Sequence, residues 1–189
     1  TLFRSKGGEV KVPYLCHLLV VSGLVLEHGG DEDQAIGALL HDAIEDCDDV
    51  TRDVIAERFG EAVAAIVSDC TDTLPGDTKD SKAPWRERKE LYIEHLKEAS
   101  AASALVAACD KCHNLTAMVG DLRTRGLSVL GAFKGSPEDQ VWFYREVLAA
   151  ITQHVPRRLA LEIEQLVREL KLQIQGGETK CFRLDEAKE

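Results

Sequence analysis

Apolar positions along this chain recur at helical spacing, and nowhere do they alternate as a half-buried strand would. An apolar run of helical length over residues 13–28 ends at Gly29-Gly30. Asp31, with Gln34 three residues on, has the form of a capping box and predicts a second helix over residues 31–46. Thr51 opens a short helix that stops at Phe59-Gly60, and residues 61–70 make the next. Residues 71–84, with two prolines and a glycine, predict a long loop. Helical patterns resume over 84–99 and 101–118, an end or turn falls in 121–126, and a loop over 131–137 precedes a helix from about Pro137 to Gln153. A last helix runs from about Pro156 to Gln175, closed by Gly176-Gly177 and followed by a polar tail. The expectation is an all-α helical bundle. Residues 1–155 form its functional part, and residues 156–189 add a C-terminal helix and tail to the same domain.

Composition narrows the function. The 189 residues suit one domain, and 44% hydrophobic content supplies a core that 5% aromatics leave to Leu, Val, Ile and Ala. A net charge of −10 argues against a nucleic-acid partner. It permits a small anionic substrate where a metal or local cations offset it. No stretch reaches the ~18 apolar residues of a membrane span, and no signal peptide is visible, since no charged start precedes an apolar run. Six cysteines without a framework pattern point to a reducing, cytoplasmic setting. Cys109-x-x-Cys112 has no second pair at zinc-finger spacing.

The chemistry concentrates in LLHDAIED, residues 39–46, where three carboxylates and an imidazole crowd six positions and are costly to bury without a cation. On a helix, His41 and Asp42 point about 100° apart, so both reach one ion only at a helix end or edge. His17 lies in an apolar helix, and Asp110 ends the apolar run SALVAAC. Taken singly, His17 reads as a core histidine, and Asp110 as a cap or the partner of Lys111. Arg86, Arg88 and Lys89 are candidate substrate cations, set against a plain solvated helix face.

In order, His17, His41-Asp42 and Asp110 resemble the HD superfamily, and most closely the hydrolase domain of the RelA/SpoT family and its stand-alone alarmone hydrolases. The likeness runs over residues 3–148 and is carried by FRSKGGEVKVPYLCH, GALLHDAIEDCDDVT, FGEAVAAIVSDCTD and ACDKCHNL. Leu18, Cys112 and Ala117 depart from the proline, leucine and threonine common there. The resemblance implies one divalent ion per chain, manganese being usual, held by His17, His41, Asp42 and Asp110. It implies Glu45 and Asp46 as the acid–base pair. Arg4, Lys6 and Asn114 become substrate contacts. The expected reaction is removal of pyrophosphate from the 3′-diphosphate of (p)ppGpp by an ion-activated water, with a small nucleotide as partner and neither nucleic acid nor membrane. Two other readings stay open: a different nucleotide or phosphoester, such as the 2′-phosphate of NADPH, and a metal-holding regulatory module without turnover.

Overall fold

A computed structural model describes residues 3–4, 12–72 and 83–176 of the chain. Nine α-helices form among these residues: α1 (Tyr14–Glu27), α2 (Glu32–Leu40), α3 (Ala43–Asp46), α4 (Arg52–Phe59), α5 (Glu61–Cys70), α6 (Trp85–Glu98), α7 (Ala101–Arg125), α8 (Pro137–Ile151) and α9 (Arg157–Gly176). Among the described residues the one strand pairing is a two-residue antiparallel pair, with Phe3 opposite Pro13 and Arg4 opposite Val12. At that length no alternation could announce it.

Local chemistry sets most of the ends. The Asp31 side chain accepts from Gln34 N while Gln34 reaches back, completing the capping box. Thr51 caps α4 through Val54 N, and Ser136 with Asp139 makes a second capping box at α8. Two expectations need correcting. The helix drawn over residues 31–46 is two helices, because the chain turns at His41-Asp42 between α2 and α3. The turn expected within 121–126 comes only at its far end: α7 continues to Arg125 and stops at Gly126, whose φ of 72° suits glycine. A 3₁₀ turn, Leu127–Ala132, occupies the approach to the expected loop. Most of the loop over 71–84 and the polar tail lie outside the described residues.

Helix α7 is the hub, packed by α1, α2, α5, α8 and α9. Its stretch from Ser103 to Asp110 is buried without a break, as expected of a helix enclosed on all sides. Around it Val21, Val25, Leu96, Leu115, Ile151, Leu159, Ile163 and Leu170 close the main core. A satellite cluster of Ile55, Val63, Ala64 and Val67 fixes α4 against α5 and seats Ile44 of α3. The hub therefore carries Asp110 in a buried position where neighbouring helices converge.

Candidate metal centre

His17 projects from α1, His41 and Asp42 from the turn between α2 and α3, and Asp110 from α7. His17 and His41 are 3% and 1% exposed. Their Nε2 atoms lie 3.3 Å apart. Asp110 Oδ1 is 3.2 Å from His17 Nε2 and 3.5 Å from His41 Nε2, and Asp42 Oδ2 is 3.3 Å from His41 Nε2. The break in the helix lets adjacent His41 and Asp42 aim at one point, which an unbroken helix would have prevented.

Hydrogen bonds on the far side of the rings orient this cluster. His41 Nδ1 sits 2.7 Å from the carbonyl of Ala38, which only accepts, so Nδ1 carries the proton. With Nδ1 so engaged, Nε2 is the ring atom left to face the carboxylate oxygens and an ion. His17 Nδ1 lies 2.7 Å from His113 Nδ1, with the rings stacked at 4.9 Å. In the tautomer where His17 is the donor of that pair, its neutral ring also turns a bare Nε2 inward. Two Nε2 atoms and carboxylate oxygens gathered at 3.2–3.5 Å form a donor set that a shared cation, or a proton on Nε2, holds together. The separations match neighbouring ligands on an ion with bonds of about 2.0–2.3 Å. His17, His41 and Asp42 thus form a group able to hold a metal ion.

The electrostatics agree. Burial, reinforced by the charge of Asp110, pushes the Asp42 carboxyl up to about 8 in the absence of a cation. Tyr14 donates a hydrogen bond to the same carboxylate. Burial also acts against ionised Asp110, but the Lys111 ammonium holds its carboxyl well below the usual range. Lys111 is 2.5 Å from Oδ2. Burial works against its charge too, and the Asp110 carboxylate keeps it protonated. Asp110 divides its oxygens: Oδ2 makes the ion pair with Lys111, while Oδ1 faces the imidazoles.

Of the other expected residues, Glu45 and Asp46 lie on α3 directly after the turn. Glu45 accepts from Asp72 N at 2.8 Å. Asn114, one turn beyond Asp110, donates to Asp110 Oδ1 at 2.5 Å. Lys6 and the side chain of Arg4 lie outside the described residues. Arg88 is not on a solvated face: it is 6% exposed and bonds Asp72 at 2.5 Å, while Lys89 takes the other oxygen of Asp72. Arg86 is exposed and paired with Glu90 and Asp139. Tyr14, Asp72 and His113 went unremarked in the sequence. Tyr14 and His113 stand three residues from His17 and Asp110, a helical spacing that could have flagged them. Asp72 gave no such signal, since its partners are 16 to 27 positions away.

A helical domain whose separate helices deliver His, His-Asp and Asp to one point defines a class of metal-binding folds. The chain belongs to the HD domain family, which it matches over residues 2–128. That family implies a divalent metal, and the His17–His41–Asp42 group fits one. Among its relatives is the guanosine-3′,5′-bis(diphosphate) 3′-pyrophosphohydrolase MESH1 of Xenopus tropicalis, 39% identical over 114 residues, or 59% of either chain. A protein of the same enzyme name from Haemophilus influenzae is 32% identical over 127 residues, 64% of this chain and 17% of that one. The chain thus spans less than two thirds of these relatives. Among solved structures, lmo0812 from Listeria monocytogenes EGD-e superposes with a TM-score of 0.69 at 28% identity, covering 80% of this chain and 96% of that one. A structure described as a metazoan ortholog of SpoT that hydrolyzes ppGpp gives 0.63 at 24% identity, over 84% and 82%, and shares the fold.

Proposed function

We propose that the chain is a (p)ppGpp 3′-pyrophosphohydrolase, using one Mn²⁺ held by His17, His41, Asp42 and Asp110. The observation that carries this reading is the convergence of two Nε2 atoms and carboxylate oxygens within 3.2–3.5 Å, beside a carboxylate, Glu45, that is itself held in place. The named relatives supply the substrate. Mixed imidazole and carboxylate donors suit an ion of intermediate hardness. When bound, the ion supplies Lewis acidity towards a phosphate oxygen and hydroxide near neutral pH.

The remaining work falls to the protein. Glu45, fixed by the Asp72 amide, takes the proton of the attacking water, and Asp46 shares that acid–base role. The bond that breaks joins phosphorus to the ribose 3′ oxygen. Pyrophosphate leaves, and the nucleoside keeps its 5′ phosphates and regains a 3′ hydroxyl. Asn114 orients Asp110 and contacts the substrate, and Arg4 and Lys6 hold phosphate away from the ion, offsetting the net charge of −10. No helix among the described residues is long and apolar enough to cross a membrane. The five described cysteines are free thiols, which suits the cytoplasm proposed as its place of action.

The test is incubation of the Mn²⁺-loaded chain with ppGpp, products resolved by ion-exchange chromatography. GDP and pyrophosphate in equal amounts are expected. Intact ppGpp alongside cleavage of another phosphoester, such as the NADPH 2′-phosphate, would move the substrate. No turnover with tight Mn²⁺ binding would favour the regulatory module.

A further inference from the structure

Between α5 and α6 lies a cavity of about 260 Å³. Six of the residues lining it are polar: Ser68, Thr71, Asp72, Arg88, Tyr92 and His95. Two of these carry the only buried side-chain polar atoms, among the described residues, without a hydrogen-bond partner: Ser68 Oγ and Tyr92 OH. An orphaned buried hydroxyl costs about 1–3 kcal/mol. Two of them on one small cavity indicate a missing partner.

The chemistry of the lining defines that partner. Burial pushes the Tyr92 phenol up, so its OH stays a neutral donor at any ordinary pH. Arg88 spends Nε on the Ala83 carbonyl and Nη1 on Asp72, and no contact among the described residues falls on Nη2. Thr71 Oγ1 donates to Val67 O. His95 is set by Asp69, which also receives Ser103 Oγ at 2.6 Å. Asp72 is the one carboxylate in the lining, and both its oxygens are occupied by Arg88 and Lys89. The cavity thus offers hydroxyl and guanidinium donors with their acceptor already saturated. Its volume falls below the ~300–1,000 Å³ of pockets for drug-sized ligands.

We propose that this cavity is a second binding site, for a phosphate-type oxyanion, either inorganic phosphate or pyrophosphate, held by Ser68 Oγ, Tyr92 OH and the Arg88 guanidinium. Because Asp72 joins Arg88 through its side chain and Glu45 through its amide, an anion drawn to Arg88 acts on the segment that fixes Glu45. The inference does not depend on the reaction proposed above.

The experiment compares the wild-type chain with Tyr92→Phe and Ser68→Ala, all metal-loaded, by thermal melting and calorimetry in a non-coordinating buffer with and without phosphate or pyrophosphate. Without anion, Tyr92→Phe melts at or above the wild type, because it removes an unsatisfied group. With millimolar anion the order reverses. Calorimetry shows a site in the wild type that weakens at least tenfold in each variant, while anion binding at the metal is common to all three. The stronger of the two anions identifies the natural occupant. If the anion shifts wild type and both variants equally, the cavity holds only water and the proposal is overturned. Because the readout is binding, it stands apart from any result with ppGpp.

Discussion

Gly37 lies one turn before His41, on the face of α2 that meets α5. A Cβ there would stand 2.7 Å from Ile66 Cγ2 and 3.2 Å from Ile66 Cβ. Both atoms are at the root of a β-branched side chain that is 3% exposed, so neither swings aside. Restoring ordinary carbon contact at ~3.5 Å needs about 0.8 Å of movement, which the end of α2 must supply. Overpacking of this kind costs about 1–3 kcal/mol. Replacing glycine inside a helix returns about 1 kcal/mol. Gly37→Ala should therefore lose between about 0 and 2 kcal/mol in urea denaturation. Metal affinity should suffer more, because ligand distances tolerate only about ±0.2 Å and His41 rides on the displaced turn. Chelator competition should show at least a tenfold weaker ion. Gly23→Ala is the control: it sits on the helix bearing His17, with nothing within 4 Å of its new Cβ. It should gain up to about 1 kcal/mol and bind metal normally. The reasoning fails if Gly37→Ala behaves like Gly23→Ala in both assays.

Three further outcomes follow from the centre and its support. Chelation should lower the melting temperature and stop turnover, and purified Asp42→Ala should hold little metal by elemental analysis; normal metal content would remove Asp42 from the ligand set. Glu45→Gln should keep its metal yet turn over ~10²–10⁴-fold more slowly, and near-normal rates would leave Glu45 a structural role only. Asp72→Asn strips the carboxylate from nearly buried Arg88 and should cost about 3 kcal/mol. Burial opposes the Asp72 charge, but Lys89 and Arg88 prevail and hold its carboxyl below the usual range. Its stabilisation is then full above the ordinary carboxylate pKa and is lost as pH falls through the depressed one. Denaturation midpoints measured down the acid range should fall less steeply in Asp72→Asn than in wild type.

How much of this was legible in the chain depends on the range of the forces. The caps at Asp31 and Thr51 are bonds between residues three apart, and they were readable because nothing distant decides them. The chain turn at His41-Asp42 was not readable. HDAIED is compatible with continuous helix, and the tertiary contact that redirects it, Ile44 seated in the α4–α5 cluster, leaves no local mark. The stretch 121–126 reads locally as an end or turn, whereas Val119 and Leu122 stay buried in the main core and carry α7 on to Arg125. His17 and Asp110 emerged only through their order with His41-Asp42, since each alone resembled an ordinary core group. Asp72 was hidden for the opposite reason: a loop aspartate looks solvated until α6 brings Arg88 and Lys89 to it.

Because one enclosed helix bears Asp110, Lys111, His113 and Asn114 as well as the middle of the core, that part of the centre is tied to the opening of the core. Segments that open independently are those with sparse buried contacts, and α7 is the reverse. Amides from Ala107 to Leu115 should exchange with deuterium only when the whole domain opens. Heat should then extinguish ion binding and helix content at a single midpoint, with no partly folded species that has lost one and kept the other.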